Sequence, residues 1–467
     1  MSAAEIDDST AGPPRASRGG APGWVRRFWC PVLLVIASFV VMAPVTASHG
    51  QQFAPRTEWL QYDYVTKIPT QGMVHRGEEV GELTLRQLAC VGEAHVGRLG
   101  DDCDRERLRL DKFPQEGITT ADDETPAYYA TAYAGGKLIE AAGVGNPLFA
   151  ARLTGTLWLA LSMVTLYALL RRFEIANLLC LGLGLTFIGS PVANWTYSYL
   201  TPAATALAFG AGLLLLAKLA VDGALRAWWL LPVSAVAVIF AQINLLGVFA
   251  ATAYVLADHL LRQPRGGRAR TLLPRALWRD PDRTPLVAIA ATVTALVTLG
   301  AWDVVRIVTA VGPSPMPANP DSLGINALGG QAIGVIAGTL NYNVSVRAAA
   351  DLAFPMPAYL GRALVWIAVF GVLGSLLTRP DGPRLTINTA RFSVALVSVI
   401  GLPLLTIWLW ATNRYLALPS TQAGLAVIPG VLLMFALLFN NRRIISLLTV
   451  LYGLVLIAWG LRYALLS

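Results

Sequence analysis

Two carboxylates close behind the first apolar run are the first side chains of this sequence that could do chemistry. Glu58 and Asp63 lie in the aromatic-rich segment 58–64. Aromatic side chains just outside a span anchor at the level of the lipid headgroups, so both acids are expected at the membrane surface. A carboxylate there can act as a general base toward a hydroxyl of a surface or lipid-linked substrate. The alternative is a solvated loop with interfacial aromatics.

A second group of acids, Asp122–Glu124, precedes a predicted helix over 127–142. Three consecutive carboxylates could bind a divalent cation. They could equally complement the dipole at the start of the helix, and the sequence favours this capping role. No His or Cys spacing in the chain is typical of a metal site, so no resident cofactor is predicted beyond that optional cation.

A third candidate lies late in the chain, where Arg414 and Tyr415 follow a Trp-rich run. An arginine just outside the bilayer can hold a lipid phosphate through paired hydrogen bonds. It can also serve simply as an interfacial anchor, and the residues alone do not separate the two roles.

The elements that must position these groups are membrane helices. Of the 467 residues, 55% are hydrophobic and 14% are charged, whereas soluble domains contain about 25% charged residues. The composition excludes a soluble enzyme and a disordered protein. The net charge of +8 does not indicate nucleic-acid binding, because the bases cluster beside the apolar runs.

The first part of the chain divides into a tail, a span and a loop. Residues 1–28 are predicted to be a disordered cytoplasmic tail, and 29–47 an uncleaved first transmembrane helix. A signal peptide cleaved near Ala47 is the alternative. The segment 48–147 holds 10 Lys and Arg against 16 Asp and Glu and is predicted to be a long external loop domain containing Tyr128.

The remaining chain predicts an all-α polytopic bundle with about 11 transmembrane helices in total. Helices 2–7 fall within 148–303, with the last of them at 285–303, and helices 8–11 fall within 358–467, beyond an external or re-entrant segment at 304–357. Helices 8–11 are predicted at 359–378, 392–411, 421–439 and 444–463, with a cytoplasmic joint at 379–391. Seven arginines in 262–283 mark a cytoplasmic loop. The segment 227–261 is interpreted as two short helices turning near Asn244, with one long tilted helix as the alternative. This topology predicts a multi-pass protein of the cytoplasmic membrane.

The cysteines add one expectation. Cys90 and Cys103 both lie in the predicted external loop, where an oxidising compartment would allow a disulfide. Cys30 and Cys180 lie in apolar runs and are interpreted as core residues.

Soluble catalytic motifs such as GxxxxGK[ST], HExxH and GxSxG are absent from the sequence. The layout resembles GT-C-type glycosyltransferases, whose first helix is followed by a long external loop with acidic residues near its start. Thr125-Pro126-Ala127-Tyr128-Tyr129 is similar to that family's Pro-Pro-Leu-Tyr-Tyr segment, and Arg414-Tyr415-Leu416 with Pro419 is similar to its Arg-Tyr-Leu-x-Pro segment. The family's Asp-Glu pair after the first helix and its second proline are missing here. The Ala-, Arg- and Gly-rich composition suits an actinobacterial source.

The resemblance implies sugar transfer on the external face of the membrane. The donor would be a polyprenyl-linked sugar and the acceptor a cell-envelope glycan, lipid or protein. Asp63 or Glu58 would be the catalytic acid–base residue, and Arg414, Tyr415 and Tyr128 would bind substrate. A glycolipid transporter and a noncatalytic envelope-assembly protein are the alternatives.

Overall fold

A computed structural model describes residues 23–55, 57–262, 283–313, 383–401, 404–405, 420–440 and 442–466. Within these ranges the protein is all-helical and contains no β-strand beyond isolated bridges. The first seven helices are α1 Gly23–Ser48, α2 Glu58–Gln71, α3 Glu82–Cys90, α4 Pro126–Ala141, α5 Pro147–Arg172, α6 Asn177–Ile188 and α7 Pro191–Ser198. The remaining seven are α8 Ala206–Val221, α9 Leu230–Phe240, α10 Leu245–Arg262, α11 Thr284–Val308, α12 Pro383–Leu396, α13 Ser420–Phe439 and α14 Arg443–Leu466.

Six of the described helices are long and apolar enough to cross a membrane, and seven if the bent pair α6 and α7 counts as one span. Their continuous apolar sequence buries one face in the bundle and leaves other positions exposed. On α14, for example, Leu447, Leu451 and Leu454 are each about half exposed. Exposed leucines at this spacing fit a helix surrounded by lipid. The chain is therefore a polytopic helical membrane protein.

One end of the bundle collects basic residues, and we call it the basic end. There Asn440 contacts the backbone of Glu174 and Ala176, which joins the ends of α5 and α13. Arg172 pairs with Asp222 at 2.7 Å, which brings in the end of α8. The basic side chains at or beside this end are Arg171, Arg172, Lys218, Arg226, Arg262, Arg283, Arg442 and Arg443.

The opposite end carries residues 49–146, which we call the cap domain. It is folded, so the alternative of a solvated loop is wrong. It holds α2, α3 and α4 around a buried core that includes Trp59, Tyr64 and Leu88. Cys90 and Cys103 are joined by a disulfide with a Cα–Cα distance of 4.9 Å, which ties the end of α3 to the following turns.

The segment 227–261 is interrupted rather than continuous. Helix α9 ends at Phe240, Ala241 is extended, and α10 begins at Leu245. The side chain of Asn244 donates to Thr205 Oγ1 at 3.0 Å, and Gly247 lies against Gly210. Helices α8 and α10 therefore start together at the cap and run parallel toward the basic end, so α9 must run the other way. This is the turn near Asn244 that the sequence predicted, and one long tilted helix is wrong.

Other expectations meet the structure only in part. Helix α12 starts at Pro383, inside the segment expected to be a cytoplasmic joint before a span at 392–411. The predicted segment 304–357 is described only as far as residue 313, where it continues α11 and then contacts the cap through Arg76. The span expected at 359–378 lies outside the described residues.

Candidate functional site

Glu58 forms a buried clamp with Arg152 of α5. Glu58 Oε1 accepts from Arg152 Nε and from Leu200 N, both at 2.8 Å. Its Oε2 accepts from Arg152 Nη2 and from Ala54 N, both at 2.6 Å. The side chains are 1% and 0% exposed. Glu58 is buried, so the alternative of a solvated loop is wrong for this residue. It neutralises an arginine that the apolar helix would otherwise bury unpaired.

Asp63 is also buried but is held differently. Its Oδ1 accepts from Gly81 N at 2.7 Å, and its Oδ2 lies 2.9 Å from Lys67 Nζ, which also pairs with Glu78. Burial raises the pKa of Asp63, and the Lys67 charge opposes that rise only in part. A carboxylate with a raised pKa in a buried setting suits general-base chemistry. The alternative of a solvated loop is therefore wrong for Asp63 as well.

The acidic segment 122–124 docks on the bundle instead of capping a helix. Asp122 Oδ2 accepts from Arg306 Nε of α11 at 2.5 Å. The backbone carbonyl of Asp123 accepts from the Gln242 side chain. The cap position of α4 is Thr125, which makes no side-chain capping bond; its hydroxyl donates to the backbone carbonyl of Ile239. The favoured capping role is therefore wrong for Asp122, whose partner comes from a helix 184 residues later.

Three tyrosines join the acidic segment to α2 and to the turn after α7. Tyr64 and Tyr129 are stacked with ring centroids 4.1 Å apart, and Tyr64 Oη donates to the Glu124 carbonyl at 3.5 Å. Tyr128 Oη accepts from Thr201 N at 3.1 Å. Burial raises the pKa of all three phenols. Tyr128, expected to bind substrate, is fully buried and supports a backbone turn.

Together these contacts form the seam, which we define as Glu58, the segment 122–125 and Tyr128 with their partners on the bundle. Asp63 lies outside the seam, because its partners Gly81 and Lys67 both belong to the cap. At the seam the cap satisfies backbone groups that two helix interruptions leave open, at 199–201 and at 239–242. Buried backbone groups need such partners. The seam therefore lies where polar side chains meet the ends of apolar helices.

His49 lies beside the seam and is neutral. Its Nδ1 lies 3.0 Å from Tyr199 Oη, and its Nε2 lies 2.9 Å from Ser198 Oγ. The Ser198 hydroxyl donates to the Asn194 carbonyl, so Nε2 must donate to Ser198 and Nδ1 must accept from Tyr199. Burial, with the nearby Arg152 charge, lowers the pKa of His49 to about 3. Because Nε2 donates its proton to Ser198, His49 cannot act as a general base that activates this hydroxyl as a nucleophile.

Several predicted groups are not brought together in the described residues. Arg414 and Tyr415 lie outside them. Among the described residues no group of three or more His, Cys, Asp or Glu side chains could hold a metal ion. The optional divalent cation at 122–124 therefore has no site there, since Asp122 is paired with Arg306.

Sequence reasoning missed Arg152 and Arg306 as partners of the candidate acids. A signal was present, because an arginine inside an apolar helix needs a carboxylate partner. What the sequence lacks is the pairing itself, since Glu58 and Arg152 are 94 residues apart.

The geometry of the seam is the basis for inferring its chemistry, because comparison with protein-family models, curated proteins and solved structures finds no match for this chain.

Proposed function

We propose that this protein is a membrane glycosyltransferase that moves a sugar from a polyprenyl-phosphate donor to a cell-envelope acceptor. The observation that carries the proposal is the seam, where Glu58, Asp122 and Tyr128 of a folded cap meet the ends of an apolar bundle. Asp63 is buried in the cap, five residues after Glu58 on α2. A water-borne or surface acceptor could approach from the cap, and a lipid-linked donor from the bundle. Few other reactions need both kinds of access at one place.

In this proposal Asp63 is the general base that takes the proton of the acceptor hydroxyl. Glu58 is the weaker candidate, because its two oxygens already accept four hydrogen bonds. Asp63 accepts one backbone hydrogen bond and pairs with the ammonium of Lys67, which Glu78 and the Glu79 carbonyl share. Arg414 and Tyr415 would hold the donor phosphate as charge develops on the leaving oxygen.

The proposed orientation puts the basic end in the cytoplasm and the cap outside, with 11 spans and a cytoplasmic N-terminus in the cytoplasmic membrane. The bases gathered at the basic end support it, because cytoplasmic ends of membrane helices carry an excess of Lys and Arg. The cap's disulfide supports it too, because disulfides persist in oxidising compartments.

A noncatalytic envelope-assembly role is the second candidate. It is favoured by one observation: both Glu58 and Asp63 have structural partners in the described residues. In that role Glu58 would hold the cap on the bundle, Asp63 would stabilise the cap itself, and a partner would bind the cap's exposed surface. A glycolipid transporter has no comparable support from the contacts at the seam.

The test is Asp63→Asn in membranes carrying the full-length chain. Asn keeps an oxygen for Gly81 N but cannot take a proton, so transfer from a radiolabelled polyprenyl-phosphate sugar should fall by about 10²–10⁴. Asp102→Asn, an exposed cap position, is the matched control and should keep full activity. Wild-type transfer by a stably folded Asp63→Asn protein would favour the noncatalytic role.

A further inference from the structure

Two arginines at the basic end are exposed and have no acidic partner among the described residues. Elsewhere at this end, Asp222 pairs with Arg172 and with Lys218, both at 2.7 Å. Arg226 and Arg283 differ, because neither forms an ion pair with any residue that the structure describes. The positive charge of the basic end is therefore uncompensated at these two positions within the described ranges.

The two arginines stand at the starts of neighbouring helices. Arg226 precedes the turn Ala227–Trp229, which leads directly into α9, and Arg283 immediately precedes α11. Helices α9 and α11 pack along each other, and α11 also packs against that turn. Both helices run from the basic end toward the cap, since Arg306 near the end of α11 pairs with Asp122 of the cap. Arg226 and Arg283 therefore share one side of the basic end.

Two exposed tryptophans belong to the same turn. Trp228 is 60% exposed and Trp229 is 56% exposed. Exposed tryptophans at the end of a membrane helix are typical of the headgroup level of a bilayer, where the ring meets apolar groups and the indole N–H meets polar ones. The turn is therefore expected to lie at the membrane surface, with its arginine at the level of the lipid phosphates.

The charge around this turn stays positive over a wider segment. Residues 262–283, which lead into α11, contain seven arginines against two aspartates, a net charge of +5. The positive ends of the α9 and α11 dipoles add to the same field. A basic surface beside membrane helices attracts anionic lipids, so the chemistry that complements this surface is an anion held at the bilayer surface.

We propose that Arg226, Trp228, Trp229 and Arg283, together called the arginine–tryptophan patch, bind the headgroup of an anionic phospholipid. A guanidinium can hold a phosphate through paired hydrogen bonds, and two such groups on adjacent helices can share one headgroup. The tryptophans favour a lipid over a soluble anion, because a free phosphate gains nothing from indole rings placed at the bilayer surface. This inference concerns the basic end and does not rest on the proposed sugar transfer.

The chain contains a second exposed arginine pair that serves as the matched control. Arg442 and Arg443 lie at the start of α14, at the same end of the bundle, and form no ion pair within the described part of the chain. No tryptophan occurs in 430–450. General attraction between a basic membrane surface and anionic lipid should depend equally on both pairs, whereas a specific site should depend on the patch alone.

The experiment titrates the purified full-length protein in detergent with phosphatidylglycerol or phosphatidylcholine and counts bound lipid by native mass spectrometry. Wild type should bind one phosphatidylglycerol molecule more tightly than it binds phosphatidylcholine. Arg226→Gln with Arg283→Gln should lower the association constant for phosphatidylglycerol about thirtyfold, which corresponds to about 1 kcal/mol for each arginine. Arg442→Gln with Arg443→Gln removes the same charge and should leave that constant nearly unchanged.

A second variant tests the tryptophans without changing the charge. Trp228→Ala with Trp229→Ala keeps both arginines and should also weaken phosphatidylglycerol binding, while the thermal unfolding midpoint checks that each variant is folded. An equal loss in the two arginine pairs, or equal affinity for the two lipids, would overturn the inference.

The remaining outcomes identify other occupants. Displacement of phosphatidylglycerol by millimolar inorganic phosphate would mean that the patch binds a free anion. Unchanged phosphatidylglycerol binding in Arg226→Gln with Arg283→Gln would mean that the patch has a different partner, such as an acidic protein. Either result would overturn the assignment of a phospholipid and would leave the glycosyltransferase proposal untouched.

Discussion

The cap domain is fixed to the bundle at two places by an arginine and a carboxylate, and the two places are built differently. At the first, Glu58 and Arg152 share two hydrogen bonds, and backbone groups complete both side chains. At the second, Asp122 meets only Nε of Arg306, the one hydrogen bond that this guanidinium makes among the described residues. Every side-chain nitrogen and oxygen atom of the first pair is hydrogen-bonded, whereas within the described ranges the second pair makes a single hydrogen bond.

The difference shows why a buried charge is not by itself a sign of function. Glu58 is buried because Arg152 must be neutralised and because Leu200 N needs an acceptor. The Asp122–Arg306 pair is 1% and 9% exposed, so Asp122 is as enclosed as Glu58. The two places differ in their hydrogen bonds, because Glu58 accepts four whereas Asp122 and Arg306 share one. The first place should therefore be the more costly to break.

The largest effect is expected from Glu58→Gln, which leaves Arg152 charged and buried without its counterion. Removing one partner of a buried pair costs about 3–5 kcal/mol, so the thermal unfolding midpoint of the purified full-length protein should fall sharply. Glu82→Gln, on the exposed Arg86 pair of the cap, is the control and should cost about 0–1 kcal/mol. If Glu58→Gln alone fails to fold, the double variant with Arg152→Met should recover folded protein. If the unfolding midpoint of Glu58→Gln equals that of wild type, the distinction between the two places is wrong.

A smaller loss is expected from Asp122→Asn. One charged hydrogen bond is weakened, which costs about 1.5–3 kcal/mol, and Arg306 retains some access to solvent. The same unfolding measurement applies. A loss of stability as large as that of Glu58→Gln would mean that breaking the Arg306 pair costs as much as breaking the Arg152 pair. The proposed difference between the two places would then be wrong.

The smallest effect concerns the pH dependence of Asp63. Burial raises its folded-state pKa above the unfolded value, so its unfavourable contribution to stability is fully present above the folded pKa. As pH falls through that pKa the folded chain takes up the proton first, and the penalty disappears below the unfolded pKa. Relative to Asp63→Asn, wild type should gain stability as pH is lowered from neutral toward the ordinary carboxyl range. An opposite trend would show that Lys67 outweighs burial.

Much of the helical layout follows from hydropathy alone. The runs predicted at 29–47, 285–303, 421–439 and 444–463 coincide with α1, α11, α13 and α14 to within a few residues. The helix predicted at 127–142 is α4. Long apolar runs determine helices locally, because in lipid every backbone group must be satisfied within the segment. The turn near Asn244 was also readable, from polar residues in the middle of an apolar stretch.

The candidate site was readable only in part. The sequence predicted Glu58, Asp63, Tyr128 and the 122–124 run as the polar groups of interest. All but Asp63 lie at the seam, and Asp63 is buried within the cap. Their roles were not readable, because burial depends on partners far along the chain. Lys67 follows Asp63 by one helical turn, whereas Arg306 comes from another helix altogether.

The sequence by itself determined that this is a helical membrane protein, where most of its long helices begin and end, and which segment is rich in acids. The tertiary structure alone decided that this segment folds into a cap, that Glu58 neutralises Arg152, and that Asp122 pairs with Arg306. The physical reason is the distance along the chain over which each interaction acts. Hydropathy and helix formation act over neighbouring residues, whereas neutralising a buried charge and satisfying an interrupted backbone require whichever partner the fold brings within hydrogen-bonding distance.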